Sequence, residues 1–206
     1  MAANAPVVVT KTLGQPTPKT RLCRGSYWFE ENTGAQGARS FDAGNRKTWS
    51  WSGWLKPNPE YVYEPAFFGS RASSNNRTNL YFRLDRCLQV FWKAGSGGSD
   101  WGAINTREQF RDPTAWYHVL IVWDTKWGKD SDDRVIIYVN GTRQTIWTEG
   151  AGMPSQNMES QFGESGQTVY IGGDSGSSYY HGYLTNMIFL DGIDALPGDF
   201  GFFDPD

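Results

Sequence analysis

Cys23 and Cys87 are the only cysteines, and His118 and His181 the only histidines, in a chain of 206 residues. Two thiols in a chain long enough to build its own core exclude a disulfide scaffold, and both are expected to be reduced. Neither histidine stands near a serine or cysteine in a nucleophile-and-base arrangement, and no zinc-ligand spacing occurs. His118, inside a strand-like run between Tyr117 and Val119, is expected to be a hydrogen-bonded structural residue. Acids at alternate strand positions are also missing. A retaining glycanase needs two carboxylates on one face of a strand, which requires a spacing of two. Glu30 and Glu31 are adjacent, Glu60 and Glu64 flank proline-rich turns, and Asp130, Asp132 and Asp133 lie in a polar loop. The expectation is a protein that is not an enzyme.

Basic excess is absent as well. The formal net charge is -3 and the pI about 5.4, so no overall field draws the chain to phosphate backbones, and nucleic acid is not an expected partner. The opening MAANAPVVVTKTLGQ lacks the apolar stretch of a signal peptide, and no window has the length of a membrane span. The expectation is a protein made and kept in an aqueous compartment, without membrane insertion.

What the chain does have is rings and turns: 16% aromatic residues, 24 Gly and 10 Pro. Aromatic side chains pack well on a pleated surface and glycine supplies the φ values of tight turns, so the composition predicts a nearly all-β domain. Residues 1–24, rich in Pro, Thr and Lys, read as an extended arm, and 25–206 as one domain. The compact part is expected to begin at Ser26–Phe29 and to resume after a glycine-rich loop, 34–44.

Strands follow in quick succession. Thr48–Leu55 alternates, with Trp49, Trp51 and Leu55 on one face and Ser50, Ser52 and Trp54 on the other. Pro65–Ser70, Asn79–Leu84 and Cys87–Trp92 read as a meander. Trp116–Trp123 is apolar on both faces and belongs near a sheet centre. Arg134–Val139 and Thr142–Trp147 flank Asn140-Gly141, the strongest short hairpin signal, because both central residues of a type I′ turn need positive φ. Residues 148–167 form a long polar loop, of a length usually tied to function or mobility. Thr168–Ile171 and Tyr183–Leu190 are the last strands, with Leu184, Ile188 and Leu190 facing the core. The acidic tail 191–206 either caps a surface or leads into a further element.

Four phrases in this order resemble a known superfamily: Ala115–Val119, Arg134–Gly141, Tyr170–Gly173 and His181–Gly192. They are similar to successive strands of concanavalin A-like and laminin-G-like domains. The resemblance covers roughly residues 40–195 and implies an all-β, two-sheet antiparallel jelly-roll sandwich. A narrower set, Ala43–Trp54, Phe110–His118 and Leu196–Gly201, resembles domains from tailed, especially marine, bacteriophages. That resemblance implies a virion structural protein, in the capsid or tail, assembled in the host cytoplasm. Its implied partners are other virion proteins in a homo-oligomer or multi-copy array.

Ligand sites are expected in loops. Carbohydrate needs an apolar ring face for the pyranose and polar groups for the hydroxyls. Trp101 with Asp100, Trp127, and Tyr179 and Tyr180 with Asp174 fit, while Trp49, Trp51, Trp116 and Trp123 read as core. Laminin-G-like domains often hold calcium with loop oxygens, which implies Asp124, Asp130, Asp132 and Asp133 as weak ligands; otherwise no cofactor is expected. The functions that follow are a non-enzymatic virion component, a lectin-like module recognising host glycans and, least favoured, a polysaccharide-degrading glycanase.

Overall fold

The computed structural model describes residues 25–30, 36–58, 60, 63–94, 100–126, 128, 130–175 and 178–201. The arm, Cys23 and Trp127 lie outside the described residues. Among the described residues, two antiparallel sheets and two short 3-10 turns make up the regular structure. The strands are β1 (Tyr27–Phe29), β2 (Gly37–Ser40), β3 (Thr48–Pro57), β4 (Ala66–Ser73), β5 (Asn76–Phe82), β6 (Leu88–Ala94) and β7 (Asp100–Thr106). They continue with β8 (Tyr117–Asp124), β9 (Val135–Val139), β10 (Thr142–Arg143), β11 (Ile146–Gly150), β12 (Thr168–Ile171) and β13 (Gly182–Asp191). One sheet runs β1-β13-β3-β8-β9-β10, the other β11-β7-β6-β5-β4-β12-β2.

The core lies between these layers. Alternation on β3 sends Trp49, Trp51 and Leu55 inward, all fully buried. Leu80 and Phe82 of β5, with Leu88, Val90 and Trp92 of β6, meet them from the second sheet. Rings carry much of the contact: Trp49 stacks on Trp123 at 5.8 Å, and Trp92 crosses to Trp123 edge-to-face at 5.6 Å. β8 sits inside its sheet, between β3 and β9, and is buried on both faces, as its unbroken apolar run predicts. Asn140 and Gly141 have φ of 49° and 77°, the values the hairpin needs.

Behind the six-stranded sheet a second, smaller cluster forms. Leu120, Val122, Leu190 and Ala195 are buried there, with Ile188, Ile193 and Phe200 against them, so the tail through Phe200 caps this outer face. Ser50 Oγ donates to the Ile193 carbonyl and accepts from the Ala195 N–H, tying the tail to β3. His118 is buried on this face, its Nε2 2.9 Å from Ser52 Oγ, the structural role expected of it.

Four local readings are corrected. Leu184 faces the main core, but Ile188 and Leu190 do not. A bulge between Thr185 and Ile188, with Asn186 at φ 49°, shifts the parity so that Phe189 points into the main core instead. Thr142–Trp147 is not one strand: β10 pairs with β9, and the chain then crosses to the other sheet, where β11 pairs with β7. Because β11 runs to Gly150, the long loop begins at residue 151. The loop of 34–44 contains β2, which pairs with β12 through Gly37–Ser40.

Candidate functional site

The outer face of the seven-stranded sheet collects most of the chemistry. Residues directly opposite in an antiparallel pair share a face, so the register orders this surface into rows. One row reads Arg71, Arg77, Lys93, Trp101 across β4, β5, β6 and β7. The next reads Tyr170, Gly69, Asn79, Phe91, Ala103, Glu149. The third reads Tyr81, Gln89, Asn105, Trp147. Strand spacing makes the four-strand row about 14 Å long.

Rings line this face. Phe91 stacks with Trp101 at 6.2 Å and lies 6.3 Å from Tyr81, and the Arg77 guanidinium sits over Phe91 at 4.7 Å. Trp101 remains 39% exposed. A Cβ at Gly150, where φ is +64°, would come within 2.5 Å of the Trp101 carbonyl oxygen, so only glycine lets β11 close over this residue. Trp147 is covered by Arg83, whose guanidinium lies 5.2 Å from the ring and pairs with Glu149 at 3.1 Å.

Amides and acids fill the centre. Asn79, Asn105, Gln89 and Asp174 are buried on a face that points away from the core. Asn79 Nδ2 donates to Tyr81 Oη and to Asp174 Oδ2, the latter at 3.0 Å, and Arg71 stands 3.7 Å from the same carboxylate oxygen. Asn79 Oδ1 and Asp174 Oδ1 are acceptors without a hydrogen-bond partner, and Asn105 Nδ2 is a donor without one. Buried polar atoms are normally satisfied, and these three are enclosed by the protein, so the accessible part of this face is formed by the half-buried side chains of Arg71, Arg77, Phe91 and Lys93 with exposed Trp101. Burial pushes the Tyr81 hydroxyl above its ordinary value, against the lowering effect of the Asn79 bond; burial likewise raises Glu64 beside this face, with Arg83 opposing.

The expected site residues divide accordingly. Trp101 is on the face, but in β7 rather than in a loop; Gly102–Thr106 was the unread strand signal. Asp100 is its neighbour in the strand and so points the other way. It lines a cavity of about 380 Å³ at the sandwich end with Arg46, Asn76, Gln161 and Glu164. Tyr180 is a correction: it is wholly buried, its ring packed among Phe29, Phe67 and Phe82, and belongs to the core. Tyr179 beside it is half-buried and bridges Ala66. Asp174, read as a loop acid, is only 1% exposed because the 173–174 segment lies on the sheet: a Cβ at Gly69 would meet Asp174 Cβ at 3.0 Å. Sequence reasoning missed Arg77, Asn79, Tyr81 and Phe91, all on strands; the alternation of Asn76–Phe82 held the signal.

The implied calcium ligands do not converge. Asp124 is buried, accepting from Thr48 Oγ1 and the Lys126 N–H at 3.2 Å each. Asp133 pairs with Arg143, and Asp132 with Ser131 in the 3-10 turn Ser131–Asp133. Among the described residues no group of three or more His, Cys, Asp or Glu side chains could hold a metal ion.

Residues 31–192 match the family model of the Concanavalin A-like lectin/glucanases superfamily. The chain belongs to this superfamily. Among curated proteins nothing matches the sequence. Solved structures share its fold. A heptameric SAP-like pentraxin from Limulus polyphemus is 20% identical, with TM-score 0.50, covering 80% of this chain and 74% of that one. The CBM40 of Ruminococcus gnavus IT-sialidase is 9% identical, with TM-score 0.52 and coverage of 80% and 95%. Domain 4 of AbnA, an extracellular arabinanase from Geobacillus stearothermophilus solved with arabinotriose, is 16% identical, with TM-score 0.52 and coverage of 81% and 76%.

Proposed function

We propose that this superfamily member is a carbohydrate-binding module whose binding face is the outer surface of the seven-stranded sheet, and that it is not catalytic. The observation that carries this reading is the row structure. Exposed Trp101, backed by Phe91, offers an apolar ring face, while half-buried Lys93 and Arg77, one and two strands away in the same row, offer polar groups beside it. That pairing of ring stacking with oriented polar groups is what a pyranose requires. Carbohydrate binding by fold neighbours such as the CBM40 and the arabinotriose-bound AbnA domain is consistent with it. A glycan array probed with wild type and Trp101→Ala tests it: loss of signal in the variant supports the reading, and identical profiles reject it. Incubation with bacterial polysaccharides is expected to release no reducing ends.

A second reading, compatible with the first, is a structural component of a tailed phage particle that reaches host glycans through this face. It rests on the phage-like phrases and on a separate aromatic patch suited to subunit contact. Trp28 and Trp116, the latter exposed rather than in the core as its sequence suggested, are 46% and 36% exposed, and both rings flank Tyr183, at 4.6 Å and 6.2 Å. Mass spectrometry of purified particles tests it; absence of the chain from them rejects it.

A further inference from the structure

Resting on the reading of this face as a glycan site, we propose that its ligand is acidic: an oligosaccharide whose carboxylate or sulfate groups are held by Arg71, Arg77 and Lys93 while Trp101 stacks on a ring. The chain as a whole carries 19 basic and 22 acidic residues, so three adjacent cations run against its composition. Arg71 stands directly opposite Arg77, and Arg77 directly opposite Lys93. Like charges placed opposite one another in an antiparallel sheet destabilise the pairing, so the row works against the fold unless an anion joins it.

Little in the molecule neutralises the row. Asp174 lies 3.7 Å from Arg71, Glu149 in the adjacent row is paired with Arg83, and Arg77 and Lys93 have no ion-pair partner among the described residues. Three arginines elsewhere are paired with acids: Arg46 with Glu159 and Glu164 at 3.0 and 2.9 Å, Arg83 with Asp85 and Glu149 at 3.3 and 3.1 Å, and Arg143 with Asp133. Arg77 instead sits over Phe91, its Cζ 4.7 Å from the ring centroid, with Nε buried and without a hydrogen-bond partner. A guanidinium positioned in that way can turn its remaining donors to a carboxylate or sulfate, and positioning it beforehand lowers the entropy lost on binding. Trp101 at the end of the row, directly opposite Lys93, supplies the ring surface. A row about 14 Å long accommodates a short oligosaccharide. A nucleic acid would be met by a broadly basic surface, which a chain of net charge -3 does not supply.

Calorimetric titration tests the proposal with four probes: tetragalacturonate, its fully methyl-esterified form, a heparin-derived tetrasaccharide and a single-stranded DNA octamer. At low salt at least one acidic oligosaccharide is expected to bind on the order of tenfold or more tightly than the ester, as two charge contacts in high dielectric supply. Added salt weakens that binding. Arg77→Gln and Lys93→Gln each reduce affinity for the acidic sugar several-fold more than affinity for the ester, whereas Trp101→Ala reduces both alike. Both charge variants are expected to melt at or above the wild-type temperature, since each relieves repulsion; should Arg77→Gln fold poorly, Lys93→Gln alone decides. Equal affinity for acid and ester overturns the acidic assignment and leaves the glycan face standing. Failure of all three oligosaccharides to bind removes both. DNA binding as tight as the best sugar, with the same dependence on Arg77 and Lys93, overturns the proposal in favour of a phosphodiester.

Discussion

Replacing Phe162 with alanine should destabilise the whole domain, although Phe162 lies in an irregular segment. Its side chain is fully buried, with ring centroids 4.9 Å from Phe68, 5.0 Å from Trp49 and 5.9 Å from Phe189, so it touches both sheets. The segment around it is pinned. Trp49 Nε1 donates to Ser160 Oγ at 2.9 Å, Thr125 Oγ1 to the Met158 carbonyl at 2.7 Å, and the Gln161 N–H to Thr78 Oγ1 at 2.9 Å. Those anchors leave the site little freedom to collapse, which places Phe162→Ala in the range of about 3–5 kcal/mol for buried phenylalanine truncation. For a chain of this size each kcal/mol lowers Tm by roughly 2–4 °C, so a fall of about 6–20 °C is expected. Urea unfolding followed by tryptophan fluorescence measures it, with Glu159→Ala, half-exposed, as a control that should stay within about 0.5 kcal/mol. A loss below about 1 kcal/mol for Phe162→Ala would mean that residues 151–167 are not docked as described.

Other expectations follow from the same packing. Burial holds the His118 ring below its ordinary value of 6.5, so the native state prefers it neutral. The unfolded chain therefore binds the extra proton first, and stability falls as pH drops below about 6.5. His118→Gln should flatten that slope in urea titrations at pH 5 to 8, and an unchanged slope contradicts the assignment. Burial, with Asp85 nearby, pushes the Cys87 thiol up to about 11. Peptide-resolved alkylation at neutral pH should leave Cys87 unmodified until denaturant is added; rapid native labelling refutes this. Gly141→Ala, at φ 77°, should cost about 1–2 kcal/mol in urea unfolding. A negligible loss would show that the turn takes another form.

The fold was legible because its signals are local. Period-two alternation identified β3 and its buried tryptophans, and Asn140-Gly141 identified the β9–β10 turn. What escaped depended on partners distant in sequence. The bulge in β13 reverses which side chains face the core, and nothing within Tyr183–Leu190 announces it. β7 opens with Asp100-Trp101-Gly102, which reads as a loop until β6 and β11 flank it. The site was half legible: Trp101 stood out as an aromatic among polar and small residues. Arg71, Arg77 and Lys93 lie on three strands, and only the register sets them in one row. Tyr180 fails the opposite way, since a tyrosine in a Ser- and Gly-rich stretch reads as exposed until Phe29, Phe67 and Phe82 are seen around it.

The glycan face itself is tested most directly by titrating isotope-labelled protein with tetragalacturonate and following backbone amide shifts. The expected changes cluster at Arg71, Arg77, Asn79, Phe91, Lys93 and Trp101, in one contiguous patch, and leave Trp28 and Tyr183 on the opposite sheet unmoved. Shifts centred on Trp28 and Tyr183, with the Arg77 and Trp101 amides silent, would contradict the assignment of this sheet as the binding surface.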